Sequence, residues 1–524
     1  MATNVEVFTR KIVSENPATG EQLYEFDCAS DDEVWTAVER AKLAQPGWNA
    51  IGVEKRVTYL KKFQSLLLDR KKDISEAITR EAGKPYAEAL LTEVLVVLDT
   101  TRFLIDTAYG FLRDQPVPHG NLAMKAKRGW IVREPHGVIG IIAPWNYPFS
   151  TPAAETLSAL VTGNTVVLKP SEFTPGIGLE LERLLREAGI PRDAFQVVVG
   201  DGRTGAALVE SAVDKIVFTG SVATGKKVAQ SAGARLIPVV LELGGKDPML
   251  VLEDVDLDVA SSAAVWGAFM NAGQTCLSVE RCYVHRSIYP KFVEACVEKA
   301  RKLHVGNGMD PEIEVGPMIH ERQLRVVEEH VEDARAQGAR VLVGGARLPE
   351  KGRNFYAPTV IADVTHDMKL MREETFGPVL PIAAFETEDE AVQLANDSEF
   401  GLAASVWTRN RKRGEEIARR INAGTVMVND VLSCFGISEA PHGGSKASGI
   451  GRTHGRLGME EMVRIKYMDS DLMPGMKKVW WYGYGEAFAR QMEGFVDLLF
   501  TRSLMTKLRS GLKAAGVVKR KGQL

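Results

Sequence analysis

The surroundings of one cysteine fit a nucleophile better than a residue that only fills a core. Cys276 ends the run 271–276, Asn-Ala-Gly-Gln-Thr-Cys, which follows an apolar segment over 263–270. Small residues allow a substrate to approach the backbone closely, and polar side chains provide hydrogen-bond donors near the sulfur. A buried structural cysteine requires neither feature. The run therefore indicates a reactive thiol at Cys276.

Two other polar residues strengthen this interpretation. Glu242 lies between Leu241 and Leu243, and an unpaired carboxylate there would be desolvated, which raises its pKa and costs stability. Such a position is typical of a functional carboxyl, and an ion pair with Lys246 is the structural alternative. Asn146 lies in the segment 144–148, Pro-Trp-Asn-Tyr-Pro. Its structural alternative is a turn residue ahead of the second proline.

The composition is that of an ordinary globular protein and excludes some functions. Among 524 residues, 45% are hydrophobic and 25% are charged, and the net charge is -3. This balance provides no general electrostatic field for nucleic acid or anionic membranes, so we expect no nucleic-acid partner. The length allows more than one domain.

The five cysteines favour a reducing compartment. They are sparse and never spaced as Cys-x-x-Cys, which argues against a disulfide framework or a zinc site, so no metal ion is expected. Residues 1–11 lack the apolar stretch of a signal peptide. No apolar run reaches the roughly 18 residues that a spanning helix needs. The expected location is cytoplasmic, and four cysteines are interpreted as structural: Cys28, Cys282, Cys296 and Cys434.

The elements that must position these residues form two series of alternating strands and helices. Short β-branched runs alternate with helical segments, which is the pattern of buried parallel sheets in doubly wound α/β domains. Two such domains imply a crevice between them in which ligands bind. Strands are predicted over 138–143, 165–168, 195–199, 216–219 and 236–241 in the first series, and over 249–252, 282–285, 341–343, 379–385, 404–407 and 425–428 in the second.

The chain outside these series also shows clear patterns. Ser30 and Glu33 form a capping box that predicts the start of a helix, and amphipathic patterns predict helices over 54–80 and 85–112. Two short runs, 122–127 and 130–133, predict a β-hairpin, which is too small to be stable alone. A final alternating strand is predicted over 463–468.

Seven motifs, in matching order, resemble those of the aldehyde dehydrogenase superfamily. One motif alone is weak evidence, but seven in order are specific, and the resemblance covers roughly residues 12–468. The motifs lie at 144–148, 169–172, 218–221, 242–246, 271–276, 374–379 and in the glycine-rich loop 441–451. The resemblance implies a Rossmann-like cofactor domain, a second doubly wound α/β catalytic domain and a small oligomerisation β-hairpin. The implied protein is a homodimer or a homotetramer.

The implied domain boundaries follow from the same motifs. The NAD-binding domain would comprise 1–121 and 136–244, and the catalytic domain 245–455. The oligomerisation segment would comprise 122–135 and 456–470, with the hairpin joining the terminal strand to bridge subunits. Residues 471–524 would remain as a C-terminal extension.

The resemblance also assigns chemistry to the polar residues. It implies that Cys276 attacks an aldehyde carbonyl, and that the Asn146 amide and the backbone amide of the nucleophile hold the resulting oxyanion. Each such donor is typically worth about 3 kcal/mol of barrier. Hydride transfer leaves a thioester, whose hydrolysis requires a general base, and Glu242 fits this role. Branches that pass the acyl group to coenzyme A generally lack this base, so Glu242 favours hydrolysis to the free acid.

The expected cofactor site lacks the common G-x-G-x-x-G fingerprint. The nearest segment begins with Gly220 and Ser221 and opens a helix directly after a predicted strand. The helix amides and the Ser221 hydroxyl can contact a pyrophosphate. On its own, this signal does not distinguish a cofactor site from an ordinary strand-to-helix turn.

Further cofactor contacts are implied by the resemblance. Lys169 and Glu172 would hold the adenosine ribose, Trp145 would flank the pyrophosphate, and Glu374 and Phe376 would contact the nicotinamide end. A carboxylate at Glu172 accepts hydrogen bonds from a free 2′-hydroxyl and repels a 2′-phosphate. NAD is therefore the expected cofactor, and NADP is the alternative because Lys169 could tolerate phosphate.

The residues around the substrate favour an apolar aldehyde. Relatives that oxidise succinate semialdehyde tend to carry an arginine just before the cysteine run, where this chain has Met270. Methionine and the preceding Phe269 form an adaptable apolar lining, which favours medium-chain, long-chain or aromatic aldehydes. Phe435 and His442 are the other candidates for the pocket. His442 stands where the family commonly has phenylalanine, and we expect it to tune polarity or to pack.

Three alternative functions remain open from the sequence. One is a dehydrogenase of succinate semialdehyde or another small semialdehyde, and another is a coenzyme A-acylating aldehyde dehydrogenase. The third, from a different class, is an inactive binding or structural homologue, against which the intact Cys276, Glu242 and Asn146 argue.

The C-terminal extension combines aromatic residues, an apolar stripe and clustered cations. Trp480 and Trp481 precede this stripe, and no acidic residue follows Asp497. The pattern is typical of an amphipathic helix at a membrane interface. The extension is therefore predicted either to lie peripherally on a membrane or to cover the substrate entrance. Packing on its own subunit or on a partner is the alternative.

Overall fold

Two mostly parallel β-sheets form the centre of the fold in the computed structural model. The model describes residues 10–121 and 124–514. The strands are β1 Lys11–Glu15, β2 Gln22–Asp27, β3 Gln115–Val117, β4 Lys127–Pro135, β5 Val138–Ile142, β6 Thr165–Lys169, β7 Phe195–Val197, β8 Lys215–Thr219, β9 Val239–Glu242, β10 Asp247–Val251, β11 Val279–His285, β12 Arg340–Val343, β13 Thr359–Ala362, β14 Val379–Phe385, β15 Ala403–Trp407, β16 Thr425–Val428, β17 Gly449–Ile450 and β18 Val463–Asp471.

Helices cover both the N-terminal segment and the connections between these strands. They are α1 Asp31–Ala50, α2 Val53–Asp69, α3 Lys71–Ala82, α4 Tyr86–Ala89, α5 Leu95–Leu112, α6 Ser150–Val161, α7 Pro175–Glu187, α8 Gly202–Glu210, α9 Val222–Ala234, α10 Leu257–Phe269, α11 Tyr289–Arg301, α12 Glu321–Ala336, α13 Lys369–Arg372, α14 Glu388–Asn396, α15 Arg411–Ala418, α16 Gly455–Glu461, α17 Glu486–Phe500 and α18 Leu504–Ala514. A π-helical turn, Leu90–Val94, separates α4 from α5.

The first sheet has six strands in the order β17-β9-β8-β5-β6-β7. All neighbours are parallel except β17, which pairs antiparallel with β9. Every residue of β5 and β6 is buried, as expected for apolar strands covered by helices on both faces. The α/β fold class predicted from the alternating pattern is confirmed.

The second sheet has seven strands in the order β12-β13-β14-β11-β10-β15-β16. Only the edge strand β12 runs antiparallel to its neighbour. Strand β13 was not predicted from the sequence, because the four residues Thr-Val-Ile-Ala between a proline and an aspartate carry little periodic signal. A large apolar core surrounds this sheet and includes the buried Phe269 and Met270 that precede the cysteine run.

The N-terminal helices differ in detail from the prediction. The capping box of Ser30 and Glu33 forms as expected at the start of α1. The helix predicted over 54–80 is divided at Arg70, where α2 ends and α3 begins. The helix predicted over 85–112 is interrupted by the π-helical turn. A turn of this kind inserts one residue into a helix and often occurs at functional sites.

The predicted hairpin is wrong in its first strand. Leu122 and Ala123 lie outside the described residues, and residues 124–126 are not in a strand. Instead, β3 pairs antiparallel with β4, and Pro116 lies opposite Trp130. A proline is tolerated here because β3 is an edge strand, where one missing backbone donor costs little. The sheet order β18-β4-β3 also places the terminal strand beside β4 within the chain.

The described residues of 114–132 and of 465–514 form a separate compact unit. Within it, α17 and α18 pack extensively against each other. Among the described residues, no helix combines the length and the apolar character needed to cross a membrane.

Candidate active site

A cavity of about 810 Å³ collects most of the residues that the sequence singled out. Its walls come from the segments after β5, β8 and β9, where carboxyl ends of parallel strands commonly bind ligands, and from the loop between α10 and β11. The cavity brings together Trp145, Asn146, Gly220, Ser221, Glu242, Met270, Cys276, Glu374, Phe376, Phe435 and His442. Lys169 and Glu172 are not part of its lining; they lie at and after the end of β6.

The loop that carries Cys276 has an unusual backbone conformation. Helix α10 ends at Phe269, and Asn271 and Ala272 both have φ of 53°, followed by Gly273 at 71°. A side chain at Gly273 would place its Cβ 2.0 Å from the carbonyl oxygen of Gly377. Only glycine therefore fits at this position, and non-glycine residues in the left-handed region are strained.

Side-chain hydrogen bonds hold this loop in place. Gln274 donates through Nε2 to the Asn271 carbonyl at 3.1 Å and accepts at Oε1 from the Ile319 amide at 2.9 Å. The Tyr147 and Thr275 hydroxyls are 2.9 Å apart. The sequence suggested donors near the sulfur, and the structure uses the Asn271 and Gln274 side chains to bind backbone instead.

The Asn146 side chain joins the strand β5 segment to the cysteine loop. The side-chain Nδ2 of Asn146 donates to the Gln274 backbone carbonyl at 3.0 Å. The backbone carbonyl of Asn146 accepts from Asn271 Nδ2 at 3.1 Å. A primary amide has two N–H groups. One holds the loop, which leaves the second for a ligand in the cavity.

A buried ion pair, which the sequence did not reveal, supports Asn146. Lys84 Nζ lies 2.7 Å from Glu93 Oε1 with both side chains fully buried, and it donates to the Asn146 carbonyl at 2.8 Å. Glu93 lies in the π-helical turn and accepts from the Phe149 and Ser150 amides at the start of α6. The sequence marked Lys84 only as part of a break between helices.

Glu242 is the last residue of β9 and is 5% exposed. Neither of its carboxyl oxygens has a hydrogen-bond partner among the described residues. The alternative ion pair with Lys246 does not form, because Lys246 binds Glu280 and the Thr375 hydroxyl. Burial raises the pKa of Glu242 well above its usual range, and the nearby Glu155 raises that pKa further.

Glu155 is a second cavity carboxyl, and the sequence reasoning missed it. It lies on the buried helix α6, accepts from the Thr219 hydroxyl at 3.2 Å and leaves Oε2 without a partner. Burial raises the pKa of Glu155 to about 8. The available signal was a lone charged residue in an otherwise uncharged helix.

The Cys276 thiol is partly exposed, whereas the other four cysteines are buried. Burial of the sulfur raises its pKa, and the carboxyls of Asp247, Glu374 and Glu242 raise this pKa further. These effects favour the protonated form of the thiol, so the sulfur requires a base before it can react.

The carboxyl edge of the six-stranded sheet fits a dinucleotide. Ser221 caps α9, and its hydroxyl accepts from the Thr224 amide. The free amides of the first helical turn are therefore available to bind an anion such as a pyrophosphate. A Cβ at Gly225 would lie 2.5 Å from the Leu243 side chain, so this glycine permits close packing of α9. Lys169 Nζ lies 3.1 Å from Glu172 Oε2 at the end of β6.

A second buried pair positions the segment of Glu374 and Phe376. Glu280 accepts from the Thr375 and Phe376 amides at 2.9 and 2.8 Å and also binds Lys246. This arrangement holds Phe376 at φ of 52° and places its ring edge-on to Trp145 at 5.5 Å. Sequence reasoning missed Glu280.

Glu374 points away from this pair. Its Oε1 accepts from the Gly245 amide at 3.0 Å, and burial followed by the charge of Glu280 raises its pKa to about 8.

Much of the remaining lining of the cavity is apolar. Met270 is 5% exposed, Phe435 packs against Tyr147, and His442 stands edge-on to Phe435. No lysine or arginine occurs among the described residues that line the cavity. Other apolar side chains of this wall are Leu91, Leu95, Val96, Trp266 and Leu432.

A thiol, an amide and a buried carboxyl around one cavity are the groups that covalent catalysis at a carbonyl requires. The sequence matches the family model "Aldehyde dehydrogenase family" over residues 5–468. The chain belongs to the aldehyde dehydrogenase family, whose members use NAD or NADP.

Individual relatives differ in their named substrates and cofactors. The chain is 40% identical to the 4,4'-diapolycopene aldehyde oxidase of Methylomonas sp., over 94% of this chain and 92% of that protein. It is 36% identical to the NADP(+) succinate-semialdehyde dehydrogenase of Escherichia coli, over 86% of this chain and 93% of that protein. The structure of an NAD+ complex of a Bacillus cereus aldehyde dehydrogenase is similar, with a TM-score of 0.85, 35% identity, and coverage of 88% of this chain and 94% of that one.

The buried pair of Lys84 and Glu93 gives a test of how Asn146 is positioned. Lys84→Met should lower the free energy of unfolding by about 3–5 kcal/mol, because Glu93 is left buried and unpaired. Lys84→Met/Glu93→Gln removes both charges and keeps an oxygen that accepts from the Phe149 and Ser150 amides, so it should regain most of that stability. Urea unfolding measures both values.

The double variant should nevertheless react slowly, because the Asn146 backbone carbonyl has lost the Lys84 donor and keeps only Asn271 Nδ2. The readout is the stopped-flow burst of reduced cofactor on mixing with an aldehyde. A burst as fast as that of the unchanged protein would show that Lys84 has no positioning role.

Proposed function

We propose that this enzyme oxidises an uncharged, apolar aldehyde to the free carboxylic acid, with NAD as the preferred cofactor. One observation carries the proposal. Cys276, Asn146 and Glu242 line the same cavity, whose remaining lining is mostly apolar and contains no lysine or arginine among its described residues.

The first chemical step uses the thiol and the amide. Cys276 Sγ attacks the aldehyde carbon, and the sulfur gives up its proton to a base in the cavity. Negative charge develops on the aldehyde oxygen, where the remaining N–H of Asn146 and the backbone N–H of Cys276 stabilise it. Donors placed in this way are worth about 3 kcal/mol each because they require no reorganisation.

The second step hydrolyses the acyl group. The chemistry that NAD supplies when bound is acceptance of the hydride, which leaves a thioester on Cys276. Glu242 then takes a proton from water, the water oxygen adds to the thioester carbon, and the carbon–sulfur bond breaks to release the thiolate. A buried carboxyl with a raised pKa is suited to accept that proton near neutral pH. This supports hydrolysis over transfer to coenzyme A.

The residues at the sheet edge support NAD over NADP. Gly220, Ser221 and the first amides of α9 would hold the pyrophosphate, and Lys169 with Glu172 would hold the adenosine ribose. The Glu172 side chain is 38% exposed beside Lys169, so its carboxylate would meet a 2′-phosphate directly. At the other end, Glu374 and Phe376 would contact the nicotinamide ribose and ring.

The cavity wall supports an apolar substrate over a short semialdehyde. A distal carboxylate requires a cation or several donors, whereas the wall offers Met270, Phe435 and leucine side chains. The Asp99 carboxylate, which also lines the cavity, would repel a second negative charge. The relative named for 4,4'-diapolycopene aldehyde, which matches 94% of this chain, also favours an apolar substrate.

A second proposal concerns the C-terminal extension, which we infer contacts an anionic membrane surface. Leu504, Leu508 and Leu512 lie one turn apart on α18 and are 75%, 65% and 82% exposed. Phe500, at the end of α17, is 76% exposed. Exposed apolar residues flanked by cations are typical of helices that lie in the interface. The flanking cations are Arg502, Lys507, Arg509 and Lys513.

The subunit state is inferred from the family. Aldehyde dehydrogenases are generally oligomeric, and we propose a homodimer or a homotetramer. In this proposal the sheet β18-β4-β3 provides the subunit contact.

The proposed chemistry predicts opposite behaviour for two variants. Cys276→Ala should abolish dehydrogenation, because no covalent intermediate can form. Glu242→Gln should still form the thioester and then release it at least about a hundredfold more slowly, since general bases contribute about 10²–10⁴-fold. Mass spectrometry of the quenched protein measures the acyl adduct. The assignment of Glu242 is wrong if no adduct accumulates in that variant.

The substrate proposal predicts a clear order of activity among aldehydes. Decanal and benzaldehyde should give kcat/KM at least about tenfold above that for succinate semialdehyde, because an unpaired carboxylate costs more than 1.4 kcal/mol to desolvate. The assay should be run with NAD and NADP, with NAD giving the higher kcat/KM. Met270→Arg serves as the matched variant, and it should raise kcat/KM for succinate semialdehyde only. The substrate proposal fails if succinate semialdehyde is the better substrate of the unchanged enzyme.

The tail proposal predicts binding to vesicles. The full chain should sediment with vesicles that contain phosphatidylserine and much less with pure phosphatidylcholine, and added salt should weaken the binding by screening. Leu504→Gln/Leu508→Gln/Leu512→Gln should abolish sedimentation. The control variant is Leu43→Gln/Leu236→Gln, which changes two leucines outside the C-terminal extension that are 82% and 92% exposed. This variant should bind the vesicles as the unchanged protein does. Equal sedimentation of the triple variant and the control would refute membrane contact through α18.

A further inference from the structure

Several buried polar atoms on one side of the cavity have no hydrogen-bond partner. They are both carboxyl oxygens of Glu242, Oε2 of Glu155, and the Nδ1 atoms of His442 and His454. Buried polar groups are nearly always paired, so such a concentration requires an explanation. Two of these residues, Glu242 and His442, face each other.

The position of His442 is fixed by its backbone and by a neighbouring ring. Its amide donates to the Thr453 carbonyl and its carbonyl accepts from the Thr453 amide, both at 2.8 Å. The Phe435 ring lies edge-on to the imidazole at 5.4 Å. A Cβ at Gly443 would lie 2.9 Å from Glu242 Oε1, so the glycine after His442 allows the loop to approach the carboxyl.

These contacts place His442 Nε2 at 3.8 Å from Glu242 Oε2. That separation is too long for a hydrogen bond, but such bonds are often long without substrate and shorten in the reacting complex. We propose that His442 is a positioning residue for Glu242, whose ionised carboxylate accepts a hydrogen bond from Nε2–H during hydrolysis of the thioester. This inference rests on the hydrolytic function proposed above.

The imidazole is suited to be a donor and not a base. Burial lowers the pKa of His442 to about 3, with smaller contributions from His454 and Arg452, so the ring stays neutral. A neutral imidazole carries one N–H. Because Nδ1 has no acceptor, the proton is better placed on Nε2, where Glu242 can accept it. A phenylalanine, common here in the family, could not donate.

The other groups around Glu242 show why a donor matters. Glu155 on α6 and Glu461 on α16 disfavour the ionised carboxylate, whereas the Arg452 guanidinium and the Thr453 hydroxyl favour it. Burial outweighs all of these charges. A hydrogen bond to the charged form lowers the pKa of Glu242 and makes more of the base available at neutral pH.

His442→Phe tests the inference, because it preserves the ring and removes the donor. Losing a donor to the ionised form raises the pKa of Glu242. The acid limb of the pH profile of acyl-enzyme decay should therefore move up by about one pH unit. On the acid limb, decay at a given pH should slow about tenfold, with a smaller effect on the plateau above it. The formation of the acyl-enzyme should change little. Rapid-quench mass spectrometry with decanal and NAD measures both steps.

Two further variants separate positioning from packing. His442→Gln has an amide N–H near the place of Nε2 and should restore most of the profile. His454→Phe makes the same ring change at a residue that has no ion pair with Glu242, and its acid limb should not move.

The outcomes distinguish this inference from the proposed function. If the unchanged enzyme forms no acyl adduct, the function itself is wrong. If it does, and His442→Phe slows decay equally at every pH or His454→Phe shifts the limb as far, His442 does not position Glu242.

Discussion

The candidate site depends on one hydrogen bond between segments that are far apart in the sequence. Asn146 Nδ2 donates to the Gln274 carbonyl at 3.0 Å. This bond joins the end of β5 to the loop of Cys276, and therefore sets how far the amide lies from the sulfur. Lys84 supports this contact, because its Nζ donates to the Asn146 backbone carbonyl. The chain thus places its nucleophile and its amide donor through backbone carbonyls, which move less than side chains do.

The same principle explains the strained loop. Three successive left-handed residues, 271–273, reverse the chain so that Cys276 faces the cavity. Such backbone costs about 1–3 kcal/mol at each non-glycine residue and persists only where the surroundings fix it. Gln274 supplies that restraint by bonding to both Asn271 and Ile319. The residues beside the cysteine therefore hold it in position.

The sequence predicts residues that belong to contiguous motifs. It does not predict residues whose partners are distant in the chain. Cys276, Glu242 and Asn146 each belong to a contiguous motif, and most strands of both sheets follow from short apolar runs. Lys84 and Glu280 were missed because their partners lie on other elements, and isolated charged residues are usually solvated. The first strand of the hairpin was misplaced since residues 122–127 and 115–117 carry similarly weak signals. Pro116 made the true strand less recognisable.

The cavity carboxyls impose an electrostatic trade-off. Burial raises the pKa of Glu155 and of Glu374 to about 8, from 4.5. The folded chain binds these protons more tightly than the unfolded chain does, so stability falls as pH rises from about 4.5 to about 8. In return, both groups stay largely neutral near pH 7, which keeps the cavity suitable for an apolar aldehyde.

The lack of cations in the cavity affects the end of the proposed reaction as well as its start. Hydrolysis converts an uncharged substrate into a carboxylate at the position of Cys276. No lysine or arginine among the described lining residues can hold that charge. The new carboxylate is therefore more stable in water than in the cavity. The apolar lining of the cavity attracts the uncharged aldehyde but not the carboxylate that oxidation forms from it. The same lining can therefore bind the substrate and release the product.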